Sequence, residues 1–447
     1  MKHNSSARYD IALDVADRLA RTCVTKEVSL SLSNSNSNQL NQYSAFRESV
    51  SLAGGYPGLL LLFLALQKRE LSGSVWDNAI HQCVMKIKEI VERNGLSDLS
   101  LFGGVTGICF ALELAAEKEG RYTRMFQTLQ NFLLQKVRKD LIDPLFSNVN
   151  NNCPSFSRLY DAIQGVSGIG RYALKNLSLP PFHSLAIDIA KTLVLFCLPL
   201  TIDGKQVPGW YLPATDPLNK KHHIVDGQKG NFNLGLAHGI TGVLAYLSIA
   251  ALNGVIVDKQ LDTMRLIAGW LREKGDRQWP SSISWQEEVE DLATPKKPSR
   301  DAWCYGVPGI ARTLFLTGKA LGDESLKDFA LASFQEIFTR PRAEWQIPGP
   351  GLCHGIAGLL LITNEMAKEN RIKWLHDQVA QLEALLISQY DESSIFGFRD
   401  IEVDINGNSV LVDKAGWLEG SAGVALTLLT LSELQSSTWN LPLLIYA

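Results

Sequence analysis

A Gly-x-x-Gly step that opens an apolar run occurs seven times in this chain of 447 residues. Self-similarity of that kind marks an architecture built from repeated supersecondary units, in which each unit buries its apolar face against the next. The steps begin at Gly55, Gly104, Gly165, Gly239, Gly306, Gly355 and Gly420, with intervals of 49, 61, 74, 67, 49 and 65 residues. A single such step is worthless as a signal, but seven in front of runs of helical length are not a coincidence of composition. The intervals exceed a compact helix pair of roughly 45 residues, so several repeats carry insertions.

Between the apolar runs lie segments of another texture: 7–22, 75–94, 121–140, 182–197, 257–274, 324–340 and 371–390. Apolar residues recur there at i, i+3 and i+4 with charges between them, the mark of a helix buried on one side. In 371–390, Ile372, Leu375, Val379, Leu382 and Leu386 share a face, while Lys373, Asp377 and Glu383 are expected to point away. The economical packing is all-α, an α/α toroid with seven apolar helices inside and seven amphipathic ones outside. Glycine at the start of each inner helix permits close backbone approach and unusual φ/ψ. An open helical solenoid would show the same alternation, but seven pairs suffice to close a ring.

Three stretches break the pattern of what reads as one toroidal domain over 1–447. Residues 29–44 are Ser/Asn-rich and read as a flexible loop. Residues 198–236 read as an inserted extended, β-containing subdomain. Within 391–416, Asn406-Gly407 between β-type runs predicts a hairpin.

Composition excludes several function classes. Lys plus Arg total 43 against 46 for Asp plus Glu, a net charge of −3, which argues against a nucleic-acid binder. The longest apolar run, Leu59 to Leu66, is too short to cross a bilayer, and the first ten residues lack a signal-peptide core. Seven cysteines, an odd number without an export signal, read as reduced cytosolic thiols.

The repeats place chemistry in register. Two residues before the first glycine stand Ala53, Phe102, Ile163, Ala237, Cys304, Cys353 and Leu418; one residue before it stand Gly54, Gly103, Gln164, His238, Tyr305, His354 and Glu419. All should lie on one rim, where the inner helices begin. Cys304 and Cys353 therefore occupy equivalent places in consecutive repeats, with His354 directly after the second. Two thiolates and an imidazole suit Zn²⁺, and three protein ligands leave a position for water or substrate. On the residues alone a second reading stays open: two buried cysteines acting as small hydrophobes and one part-exposed histidine. Cys23, Cys83, Cys109, Cys153 and Cys197 lack ligand spacing and read as structural, and His222-His223 reads as a solvated pair in a Lys-rich loop. By spacing, Asp161 and Arg300 read as ion-pair members.

Taken together, LYDAIQGVSGIG (159–170), LAHGITG (236–242), RDAWCYGVPG (300–309), LCHGIAG (352–358) and WLEGSAG (417–423) resemble the LanC family, the class I lanthionine synthetase cyclases. The likeness runs over nearly the whole chain, and the WCYG and CHG pair carries its specificity. The CHG form is similar to the stand-alone cyclases. The resemblance implies an α/α barrel with one zinc at its end, held by Cys304, Cys353 and His354, and a smaller extension domain for which 198–236 is the counterpart. It implies His238 as acid/base, Asp161 as its partner carboxylate and Arg300 as an active-site arginine. The implied reaction is Michael-type addition of a cysteine thiol to dehydroalanine or dehydrobutyrine in the same precursor peptide, with a dehydratase and an exporter as further partners. Membrane association would come only through such partners. The alternative is a non-catalytic or glutathione-binding LanC-like scaffold. A thiol prenyltransferase would use a carboxylate among its zinc ligands, which neither Cys304 nor Cys353 has in the matching place, and a toroidal glycosidase would have no use for two rim cysteines.

Overall fold

The computed structural model describes residues 2–24, 49–69, 75–117, 120–221, 229–292, 299–404, 406–431 and 437–447. The expected loop at 29–44 and the His222-His223 pair lie outside them. Helices alternate in character along the chain: α1 (Lys2–Leu19), α2 (Tyr56–Gln67), α3 (Trp76–Asn94), α4 (Val105–Ala116), α5 (Thr123–Val137), α6 (Val166–Lys175) and α7 (Pro180–Phe196). They continue as α8 (Ile240–Leu252), α9 (Gln260–Gly275), α10 (Val307–Leu321), α11 (Glu324–Ile337), α12 (Ile356–Asn370), α13 (Lys373–Ile387) and α14 (Ser421–Thr430). The seven that follow glycine steps are buried nearly all round: in α8 every side chain from Ile240 to Ala250 is enclosed. The others bury one stripe, as α3 does with Ala79, Ile80, Cys83, Val84 and Ile87. Sequence texture and burial thus agree, because a helix enclosed on all sides cannot carry unpaired charge.

The chain divides into two compact units. One comprises Met1–Asp98, Phe102–Gln130 and Ile347–Trp439; the other comprises Leu99–Leu101, Asn131–Gln346 and Asn440–Ala447.

In the first unit, α2 packs on α3 and on α4, and α12 packs on α13. Helix α1 lies against α14, the last of the apolar helices, and α14 lies against α2, the first. Backbone bonds repeat the same order: Cys353 N–H donates to Leu418 O (2.8 Å), Leu418 N–H to Ala53 O (2.9 Å), and Ala53 N–H to Phe102 O (3.0 Å). An open solenoid would hold its first and last repeats apart, whereas here the seventh repeat bonds directly to the first. Glu383 departs from the expected outward position. It is buried and takes Arg8 of α1 at 3.2 Å. The hairpin expected around Asn406-Gly407 is present as β6 (Arg399–Val403) and β7 (Ser409–Asp413), after five shorter strands described next.

The second unit holds the apolar helices α6, α8 and α10 with the outer helices α7, α9 and α11. Its rim bonds run from Ala162 N–H to Ala237 O (3.1 Å) and from Ala237 N–H to Cys304 O (3.2 Å). The third repeat thus joins through Ala162, one residue earlier than the Ile163 expected from the glycine count. Within 198–236 lie a hairpin of β1 (Leu200–Ile202) and β2 (Lys205–Val207) and the strands β3 (Tyr211–Leu212) and β4 (Asn231–Asn233). The sheet β3-β4 is completed by β5 (Ser282–Ser284), with Phe232 opposite both Tyr211 and Ile283.

Six of the seven step glycines take extended φ at the helix start; only Gly306, at φ +89, needs the left-handed region. Their shared requirement is space. A Cβ on Gly423 would lie 1.9 Å from the Trp417 carbonyl oxygen, and one on Gly306 would lie 1.9 Å from that of Arg300. Among the described residues no helix is long and apolar enough to cross a membrane.

Candidate metal centre and acid–base pair

Asp161 sits five residues before the first residue of α6, and its carboxylate does the work of a helix cap. Oδ1 accepts the backbone N–H groups of Gln164 (2.6 Å) and Gly165 (2.9 Å), donors that a helix start leaves without partners. Oδ2 takes Nδ1 of His238 at 2.6 Å. The row of backbone bonds between Ala162 and Ala237 aligns the two segments, so residues 77 positions apart meet. Asp161 is fully buried, and the His238 side chain keeps 26% of its surface exposed. An ionised carboxylate only accepts hydrogen bonds, so against it Nδ1 carries the ring proton.

Cys304 belongs to the same row and is buried at 6% exposure, while Cys353 and His354 are half-buried. One ligand atom from each of Cys304, Cys353 and His354 lies within 4.8 Å of the others. They are the metal-competent group among the described residues. Soft thiolates with an imidazole fit zinc and disfavour magnesium or calcium. All seven cysteines are free thiols.

Arg300 is exposed and takes no ion-pair partner among the described residues. Its neighbour Asp301 turns inward to Arg340 (2.7 Å), and burial pushes its carboxyl up to about 6 despite that cation. Trp303 donates its indole N–H to Leu443 O (2.8 Å), and Arg312 of α10 donates to Ile445 O (2.5 Å). The C-terminal segment therefore supports the strand of chain that carries Cys304. No periodicity announces that support, since residues 438–447 contain neither a glycine step nor a helical stripe.

The lanthionine synthetase C-like family model matches residues 47–444. The chain belongs to that family. It is 26% identical over 321 residues to the nisin biosynthesis protein NisC of Lactococcus lactis subsp. lactis, covering 70% of this chain and 72% of that protein. Among solved structures it resembles the nisin cyclase with a TM-score of 0.73 and 23% identity, over 89% of this chain and 92% of that one. The α/α toroid expected from the repeat is therefore the fold of this LanC-like chain.

Proposed function

We propose that this LanC-like protein is a zinc-dependent cyclase that closes thioether rings in a dehydrated precursor peptide. The observation that carries the reading is the His238–Asp161 pair, bonded at 2.6 Å in the same row of repeats as Cys304. Cys304, Cys353 and His354 are the proposed ligands. When bound, zinc supplies the charge that keeps a substrate cysteine, with a free pKa near ~8.5, as a thiolate at neutral pH.

His238 then has a defined task. As the C–S bond forms at the β-carbon of dehydroalanine or dehydrobutyrine, electrons move to the enolate and the α-carbon needs a proton. Nε2 delivers it, while Asp161 holds the ring orientation and balances the imidazolium. The proton lost by the thiol charges the ring to imidazolium, and its delivery to the α-carbon restores the neutral imidazole, so substrate and product have equal mass. Arg300, exposed on the segment leading to Cys304, is the proposed partner of the developing oxyanion. Seven free thiols support a reducing, cytoplasmic setting, where a dehydratase would supply the substrate and an exporter would take the product.

Zinc-loaded protein incubated with a dehydrated, cysteine-containing peptide should consume peptide thiols, counted by alkylation and mass spectrometry. His238→Asn should keep zinc and lose cyclisation, and Cys304→Ala should lose both. Native protein that binds zinc and peptide yet leaves every thiol free would favour the scaffold reading.

A further inference from the structure

The hairpin of β6 and β7 is unused by the chemistry above, yet it is built with care. The Asp404 carboxylate accepts the backbone N–H groups of Asn406 and Asn408, both at 2.8 Å, and Gly407 takes φ +84 to close the turn. The register sets Ile401 opposite Leu411 and Asp400 opposite Val412. Alternation along a strand sends these pairs to opposite faces. Asp400 and Val412 are buried, whereas Leu411 is 63% exposed and Val403, on the same face, is 62% exposed. Only Val75 is more exposed among the large apolar side chains described. Among the described residues β6 and β7 pair only with each other; the outer edge of β6 has its Ile401 N–H taken by Asp400 Oδ1 (2.9 Å), which leaves the outer edge of β7 as the one open to a further strand.

The base of this hairpin is tied to the chain that carries two of the proposed metal ligands. The Lys414 ammonium holds Asp400 (2.9 Å), Glu402 and Glu419 (3.2 Å). A Cβ on Gly349, in the loop leading to Cys353, would lie 2.1 Å from Asp400 Oδ1. Leu418, beside Glu419, accepts the Cys353 N–H. An exposed apolar face with an open edge along β7 is therefore fastened, through one ammonium and two short bonded segments, to Cys353-His354. Asp400 and Glu402 lie on the other face with Lys414, and Asp413 pairs with Arg399 (3.5 Å), so the face of Leu411 and Val403 selects by apolar contact and not by charge.

We infer that this hairpin docks the substrate peptide as an extended strand added at β7, taking a segment with apolar residues at alternate positions. The inference rests on the cyclase reading. Main-chain bonds to the free edge would supply affinity, and alternate side chains covering Leu411 and Val403 would supply selectivity. Anchoring the peptide outside its two reacting residues also lowers the entropic cost of bringing thiol and alkene together.

The test uses full-length, zinc-loaded protein and a fluorescein-labelled synthetic peptide of about fifteen residues. The peptide carries one cysteine, one dehydroalanine and an alternating Val/Thr segment; a short peptide with only the reacting residues is the comparison. Kd is read by anisotropy and cyclisation separately by thiol alkylation. The double variant Val403→Lys/Leu411→Lys should raise Kd and KM for the long peptide at least tenfold with zinc content unchanged. Leu266→Lys, replacing a 53% exposed residue of α9, should bind like native. An unchanged Kd in the double variant, or native protein that binds long and short peptides alike, overturns the docking role even if cyclisation proceeds. Native protein that binds the long peptide through the hairpin but never cyclises it overturns the reaction and leaves the docking surface standing.

Discussion

Replacing Asp161 by Asn changes one atom type at the centre of three hydrogen bonds. The carbonyl oxygen of Asn can still accept the N–H groups of Gln164 and Gly165, now 2.6 and 2.9 Å from Oδ1, so the start of α6 survives. The amide nitrogen, however, would face Nδ1 of His238 at a distance that is now 2.6 Å. Two donors cannot share that contact, so the ring must move its proton to Nε2 and lose the charge that balances an imidazolium. Loss of a charge-assisted bond to a fully buried carboxylate should cost about 1.5–3 kcal/mol of folding stability. Loss of oriented acid–base catalysis should cost about 10²–10⁴ in rate, equivalent to roughly 3–5 kcal/mol of barrier. Zinc should stay, because Asp161 is not among the metal-competent group. Three measurements decide the matter: zinc by elemental analysis, thiol consumption by alkylation, and stability by urea denaturation. Asp161→Asn that keeps its zinc and cyclises within about tenfold of native would refute the assigned role of the pair.

Other perturbations probe other links. Gly306→Ala combines a φ of +89 with a Cβ 1.9 Å from the Arg300 carbonyl oxygen, and should cost at least about 2 kcal/mol by denaturant titration. Gly54→Ala, with nothing near its added methyl, should stay within about 0.5 kcal/mol of native in the same titration. Asp301 has a carboxyl held near 6 in the folded protein against 3.8 in the open chain, so the folded state binds the proton more tightly. Stability of metal-free protein should therefore fall as pH rises from about 4 to 6, by up to about 3 kcal/mol, with the whole penalty present above 6. Asp301→Asn should flatten that part of the pH profile, and an unchanged slope would disprove the cause. Lys414→Met should leave Asp400, at 4% side-chain exposure, without its cation and destabilise the protein by about 1–3 kcal/mol; hydrogen exchange in β6 and β7 is the readout.

Helix starts and burial classes were legible in the chain because both depend on short-range physics. A step glycine removes a side chain where the backbone folds tightly on itself, and a run without charges can tolerate enclosure on every side. The same repeat count put Cys304 and Cys353 in equivalent places, which is why two members of the metal-competent group stood out in the sequence. The count failed by one residue at the third repeat, where the rim bond runs through Ala162 instead of Ile163. Helical periodicity also failed at Glu383, which it turns outward but which is buried against Arg8 of α1.

What only tertiary structure decided are the meetings between distant segments. Asp161 looks like any ion-pair residue until the row of backbone bonds sets it against a histidine 77 positions away. Ring closure was expected from seven pairs, but alternating helices suit a solenoid as well; the bond from Leu418 to Ala53 distinguishes the two. The support of Trp303 by Leu443 and the triple hold of Lys414 are of the same kind. Local sequence sets which backbone shape each segment prefers, because sterics and hydration act within a few residues. Which segments share a rim depends on how the repeats stack, and that is settled only when all of them bury their apolar faces together.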